Sequence, residues 1–426
     1  MEKQAALDLL EFIHESPTNF HAVLSIKQRL QAHGFKQLFS GEAWHIEHGG
    51  KYFVTKNHSS LYAFIPGNGN LAEEGFKLIC AHSDSPTFRI KPHAEMPVEG
   101  KYLKLNTEVY GGPIMYTWFD RPLSMAGRVM VKSDKPLKPA TQFINFDRPL
   151  LEIPHIAIHF NRAVNDQGNP LSKQRDMLPV IAMINETFEK DNFLLKLIAQ
   201  EMNIPAEDIL DFDLTLYEYG KGTLFGLNNE FISSGRLDDL AMVHAGLTAL
   251  LDSKPCNKTK VLAIFDNEEV GSGTKQGAAS PILRTILERV AFNQGYKIEE
   301  LYRAIHNSFM ISADMAHALH PNYPEKHDPT NHPIMNQGPV IKINANQKYI
   351  TDGDSAAVFA TICYQTFVNH SDMAGGSTLG NILLTQMEMR GVDIGNPMWA
   401  MHSVRETAGV LDQDYVIKAF TTFYNI

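Results

Sequence analysis

Hydrophobic and polar residues alternate between two textures along this chain. At the N-terminus Leu7, Leu9, Leu10, Phe12 and Ile13 fall largely on one side of a helix that Pro17 should stop. A second helix should follow, with Asn19 as its cap, Val23, Leu24, Ile26 and Leu30 on its apolar face, and Gly34 after its end. From Phe76 onward, short unbroken apolar runs end abruptly in polar clusters. Leu78-Ile79-Cys80-Ala81 meets His82-Ser83-Asp84-Ser85-Pro86, Val261–Phe265 meets Asp266-Asn267-Glu268-Glu269, and Phe309-Met310-Ile311 leads to Asp314. Such runs predict strands buried on both faces. Between them, Leu240, Val243, Leu247, Leu250 and Leu251 recur at helical spacing. Strands alternating with helices predict an α/β fold, a mostly parallel sheet covered by helices.

The middle of the chain reads differently. Phe212, Leu214 and Leu216 alternate with Asp213, Thr215 and Tyr217, the pattern of a half-buried strand. Gly111-Gly112-Pro113 and Asn165-Asp166-Gln167-Gly168 supply turns, and only Asn192–Met202 looks helical. These signals predict a β-rich domain over 93–232 inserted into a discontinuous α/β domain formed by 1–92 and 233–426.

Composition narrows the function classes. The 426 residues carry 38 Lys+Arg and 48 Asp+Glu, a formal charge of −10, with no basic block. That balance disfavours nucleic acid and anionic membrane as partners. Three cysteines, Cys80, Cys256 and Cys363, lie too far apart for a disulfide framework or a cysteine zinc site, and should pack as small apolar residues. Glu2, Lys3, Asp8, Glu11 and Glu15 interrupt any secretion-signal core, and the densest apolar run, Leu178–Ile184, falls short of the roughly twenty residues of a membrane span. A cytoplasmic protein is expected.

The strand ends hold the candidate chemistry. In open α/β sheets, sites form beyond the carboxyl ends of strands. His82, Asp84, Glu268, Glu269 and Asp314 lie there, Asp238 and Asp239 open a helix, and His402 follows Met398-Trp399-Ala400-Met401. One zinc takes about four ligands, and a pair sharing a carboxylate needs about five protein groups with positions left for water. Each piece has an ordinary explanation: Asp238-Asp239 is a good dipole-matched helix start, and paired glutamates are commonly solvated. Their joint placement at element junctions is harder to explain that way. His-Glu-x-x-His and Gly-x-Ser-x-Gly are absent, and Gly271-Ser272-Gly273 with Gly277 matches neither phosphate-binding spacing.

Five co-linear segments resemble the aspartyl aminopeptidase family, within the clan of two-zinc exopeptidases: His82–Pro86, Ser234–Asp238, Asp266–Ser272, Ser312–His317 and Met401–Glu406. The similarity runs from Ser16-Pro17 and Phe20-His21-Ala22-Val23 to Arg405-Glu406-Thr407, nearly the whole chain. The resemblance implies two divalent ions, most simply Zn2+, with Mn2+ or Co2+ also suited to these ligands. Asp238 would bridge them, His82 and Asp314 would complete one site, and Glu269 and His402 the other. Glu268 would be the general base, and Asp84 would hold the other nitrogen of His82. Asp239 stands where the family commonly has Asn.

The same resemblance implies substrate contacts at His317, Lys342, Tyr349, Gly376 and Ser377, and at His159, which family members insert into a neighbouring subunit's site. A lone Lys342 ammonium beside Val340, Ile341 and Ile343 would suit an acidic side chain; the ordinary alternative is a lysine on the wet face of a strand. His159, in the apolar run Ile156–Phe160, would ordinarily be a half-exposed strand residue. The implied protein is an aminopeptidase acting on peptides with N-terminal Asp or Glu, assembled as a homo-oligomer, a dodecamer built from dimers. A broad-specificity aminopeptidase or other amide hydrolase of the clan would share the metal ligands, and a non-catalytic metal-binding scaffold would not need Glu268. His14, His48, His58, His93, His320, His327, His332 and His370 are read as structural or surface residues.

Overall fold

Four parallel strands form the centre of the larger of two compact units. The computed structural model describes residues 3–185, 192–362, 364–373 and 375–426. The first unit comprises 1–85, 222–401 and 406–426, and the second 86–221 and 402–405. The division falls at 85/86 and 221/222, rather than near 92 and 233, because strand Thr87–Val98 already pairs within the second sheet.

Among the described residues, the first unit holds a nine-stranded sheet. Its central order is Thr259–Phe265, Phe76–His82, Phe309–Ala313 and Arg390–Gly395, all parallel. Every residue of Phe76–His82 and of Thr259–Phe265 is buried. Side chains alternate between two cores, as a period of two requires. Ile79, Ala81, Leu262 and Ile264 face helices Gln4–His14, Asn19–Ala32, Leu237–Asp252 and Val410–Asn425. Leu78, Cys80, Val261 and Ala263 face helices Ile282–Asn293 and Ile298–His306. Replacing Ile79 by Ala would cost about 2–5 kcal/mol, the usual range for a filled core site. The expected parallel sheet covered by helices is therefore present.

A second sheet of this unit was not foreseen. It runs Thr223–Phe225, Phe231–Ser234, Glu406–Gly409, Pro397–Trp399 and Ala316–His317. Its strands span two to four residues, too short to display a period. The second unit is a six-stranded antiparallel sheet in the order Ala140–Asn145, Leu123–Val131, Ile209–Glu218, Thr87–Val98, Tyr102–Tyr110 and Val180–Met183. Leu214 and Leu216 are buried in its core, while Asp213 pairs with Arg89 and Arg128 at 2.6 and 2.7 Å.

Several local expectations change. Thr18, not Asn19, caps the second helix: its hydroxyl accepts the His21 N–H at 3.4 Å, which frees Asn19 to reach Asp266. Ile156–Phe160 is not a strand; Ile158–Phe160 forms one exposed turn of 3-10 helix, with Phe160 82% exposed. Cys80 is buried and Cys256 half-buried, whereas Cys363 lies outside the described residues. Among the described residues, no helix is long and apolar enough to cross a membrane.

Candidate metal centre

His82 closes its strand and is 1% exposed. Its Nε2 lies 3.5 Å from Asp238 Oδ1 and 3.9 Å from Asp314 Oδ1. Asp314 follows the neighbouring parallel strand Phe309–Ala313, and its backbone N–H is held by the Ile394 carbonyl. Ligand atoms of His82, Asp238, Asp239 and Asp314 all lie within 4.8 Å of one another, as do those of His82, Glu268 and Glu269. Three strand ends and the entry to helix Leu237–Asp252 thus converge.

The backbone around these groups is anchored by other polar side chains. Glu406 accepts the Asp238 N–H at 3.1 Å, and the Ser85 hydroxyl donates to the Asp238 carbonyl at 2.8 Å. Asp238 and Asp239 have non-helical backbone angles, so they precede the regular helix instead of capping it. Asp239 is fully buried, and its Oδ2 accepts the His82 N–H at 3.1 Å. The solvated dipole pair is therefore replaced by two buried acids.

Asp84 faces the other nitrogen of His82 through two of its atoms. Its backbone carbonyl, 3.0 Å away, meets His82 Nδ1, while its carboxylate oxygen stands 3.5 Å from that nitrogen. The carboxylate also accepts the N–H groups of Glu268 and Glu269 at 3.1 and 3.2 Å. One buried acid fixes the turn that carries both glutamates.

Burial and crowding dominate the electrostatics. Glu268 is pushed up to about 7 by burial and by the charges of Asp314, Asp238 and Asp84, against the opposing pull of His82. Burial raises Asp239 and Asp314 as well. Burial also penalises the charged form of His82, yet Asp239, Asp238, Asp84 and Glu268 outweigh it and hold its proton more tightly than usual. Oδ1 of Asp239 is buried and, among the described residues, accepts no hydrogen bond. A site with one imidazole, several converging carboxylates and an orphaned buried oxygen fits a divalent cation well, since such a charge removes both the repulsion and the unmet hydrogen-bonding capacity.

Lys342 is neither alone nor wet. It is 3% exposed, and its ammonium lies 3.4 Å from Asp314 Oδ2 and 5.5 Å from the centre of the Tyr349 ring. Burial opposes its charge, but Asp314, Tyr349, Asp393 and Asp238 prevail and push it up to about 12. Tyr349 is buried and its ring is 6.5 Å from that of Phe367; His317, on the exposed end of its short strand, lies 5.9 Å from the same ring. Gly376 and Ser377 are exposed, with Ser377 Oγ donating to the Lys348 carbonyl at 3.4 Å. His159 is exposed in the second unit. His402 also belongs to that unit, with a left-handed φ of 68° and Nδ1 3.1 Å from the Gly112 carbonyl. His320, His327 and His332 contact one another's backbone or Asp328, and among the described residues none joins the His82 cluster. Sequence reasoning missed Glu406, although it lay inside a noted motif, because a strand glutamate carries no signal of what its carboxylate holds.

A buried group of imidazole and carboxylates beyond the ends of parallel strands is the arrangement of an α/β protein suited to hold a metal. The chain belongs to the aminopeptidase I zinc metalloprotease family (M18), whose model matches residues 12–424, and it is accordingly a metalloaminopeptidase. It is 54% identical to the probable M18 family aminopeptidase 2 of Clostridium acetobutylicum, over all of this chain and 99% of that one. It is 43% identical to the protein of the same description from Ectopseudomonas mendocina, again over all of this chain and 99% of the relative. Among solved structures it is similar to that of the Ape4 and Nbr1 complex, with a TM-score of 0.94 and 38% identity, covering 99% of this chain and 86% of that one. The S. cerevesiae mApe1 dodecamer gives a TM-score of 0.86 at 26% identity, over 99% and 96% of the two chains.

Proposed function

We propose that this aminopeptidase releases N-terminal Asp or Glu from peptides, and that His82, Asp238, Glu269, Asp314 and His402 hold two divalent ions, most simply Zn2+, with Asp238 between them. The observation that carries the reading is the buried convergence of His82, Asp238, Asp239 and Asp314. When bound, the ions supply Lewis acidity, which polarises the scissile carbonyl and acidifies a water.

The chain's own residues do the rest. Glu268 takes the proton from the attacking water and returns it to the leaving amine as the C–N bond breaks. Asp84, by gripping the amides of Glu268 and Glu269, keeps the base and a metal ligand in fixed register. Lys342, Tyr349, His317 and the Gly376-Ser377 amides are assigned to the substrate's N-terminal residue.

The 86–221 unit is assigned to oligomerisation, supported by the exposed apolar Ile158 and Phe160 beside His159. A dodecamer is the assembly of the similar mApe1 structure. In it, His159 would serve a neighbouring subunit's site.

One observation favours a second reading, a broad residue preference. The Lys342 charge is already partly spent on Asp314. Rates on Asp-, Glu- and Leu-anilides separate the two. Acidic selectivity that falls about tenfold or more in Lys342→Ala, the size of one charge-assisted contact, supports the acidic reading. Equal rates on all three substrates in the unaltered enzyme reject it.

A further inference from the structure

Asp393 lies on the inner parallel strand Arg390–Gly395 and is fully buried. Its strand neighbours Val392 and Ile394 enter the apolar core. A carboxylate there carries a desolvation cost that persists only if its oxygens are well used. Both are. Oδ2 accepts the Ile350 N–H at 2.6 Å, and Oδ1 accepts the Thr378 hydroxyl at 2.6 Å. The Asp393 N–H itself donates to Thr351 Oγ1 at 3.0 Å.

These partners sit on two separate loops. Ile350 and Thr351 directly follow Tyr349, in the connection between strand Val340–Ile343 and helix Gly353–Ala360. Thr378 directly follows Ser377, at the start of helix Leu379–Leu384. A single buried acid therefore ties the backbone next to Tyr349 to the Thr378 side chain next to Ser377. The Tyr349 ring in turn lies 5.5 Å from the Lys342 ammonium and 6.5 Å from the Phe367 ring.

We infer that Asp393 is a positioning residue for substrate binding: it clamps the Tyr349 and Ser377 loops in the geometry that receives the substrate's N-terminal residue. The inference rests on the reading that Tyr349, Lys342 and Ser377 contact substrate. It places the effect of Asp393 on KM and leaves proton transfer to Glu268.

Asp393→Val removes both tethers and leaves the Ile350 N–H unsatisfied. Asp393→Asn keeps them, since an amide can accept from Ile350 and donate to the Thr378 hydroxyl. Thr378→Val cuts one tether at a less central position, and serves if Asp393→Val does not fold. Hydrogen exchange over 344–352 and 375–381, measured on the metal-loaded enzyme, reads the clamp without reference to activity. In Asp393→Val, exchange should accelerate in both segments and KM for the preferred anilide should rise about tenfold, the worth of one charge-assisted hydrogen bond. Thr378→Val should show the same in 375–381. Asp393→Asn should stay within about threefold of the unaltered enzyme. Unchanged exchange in the folded variants overturns the inference, as does a loss confined to kcat or an Asp393→Asn as impaired as Asp393→Val. An unchanged preference in Lys342→Ala, run alongside, instead rejects the substrate-contact reading.

Discussion

The strand ends and the flanking loops of the first unit solve different problems. His82, Glu268, Glu269 and Asp314 stand on or just beyond three adjacent parallel strands whose residues are almost wholly buried. Their positions follow from the sheet, and their charges are crowded where burial limits the relief that water can give. His317 and Ser377 lie instead on exposed segments, and Ile350, next to Tyr349, is tethered to Asp393. On the proposed function, metal retention and turnover belong to the strand ends, and recognition to Lys342 and the loops beside it.

Substitutions can break that division. The largest effect is expected for Asp238→Ala, which should lower metal content at both positions and abolish turnover; elemental analysis returning two ions per chain would remove the bridging role. Glu268→Gln keeps the shape but not the base. It should retain metal and lose about 10²–10⁴-fold in kcat, so near-normal turnover in the loaded variant would count against the proton shuttle.

Asp84→Asn tests the support beneath both glutamates. An amide offers one acceptor where the Glu268 and Glu269 N–H groups need two, and its NH2 faces one of them. Activity or metal affinity should fall about 10–100-fold. An unaffected variant would mean that the glutamate turn holds itself. The smallest change belongs to the loops: Ser377→Ala should leave metal content intact and stability within about 0.5 kcal/mol, as for an exposed position. Lost metal in that variant would erase the distinction between the two regions.

Legibility in the sequence follows the same line. Apolar runs at Leu78–Ala81 and Val261–Phe265 are long enough to read as buried strands, and the abrupt change to His82 or Asp266 marks where each ends. Arg390–Gly395 escaped notice because Arg390, Asp393 and two glycines interrupt its apolar pattern, although it completes the parallel core. Ile156–Phe160 misled in the opposite direction: its apolar residues are exposed on a turn. Periodicity reports which residues prefer to leave water, and not what covers them. The roles of Asp84, Glu406 and Asp393 depend on contacts between distant segments, which spacing along one chain does not encode.

On the proposed function, the His82 cluster holds two ions that share Asp238. An anomalous-difference map from a crystal of the zinc-loaded protein, collected at the zinc edge, tests it most directly. Two adjacent peaks, with Asp238 within coordination distance of both and His82 on one of them, are predicted. A single peak, or peaks that leave Asp238 uncoordinated, would contradict the account.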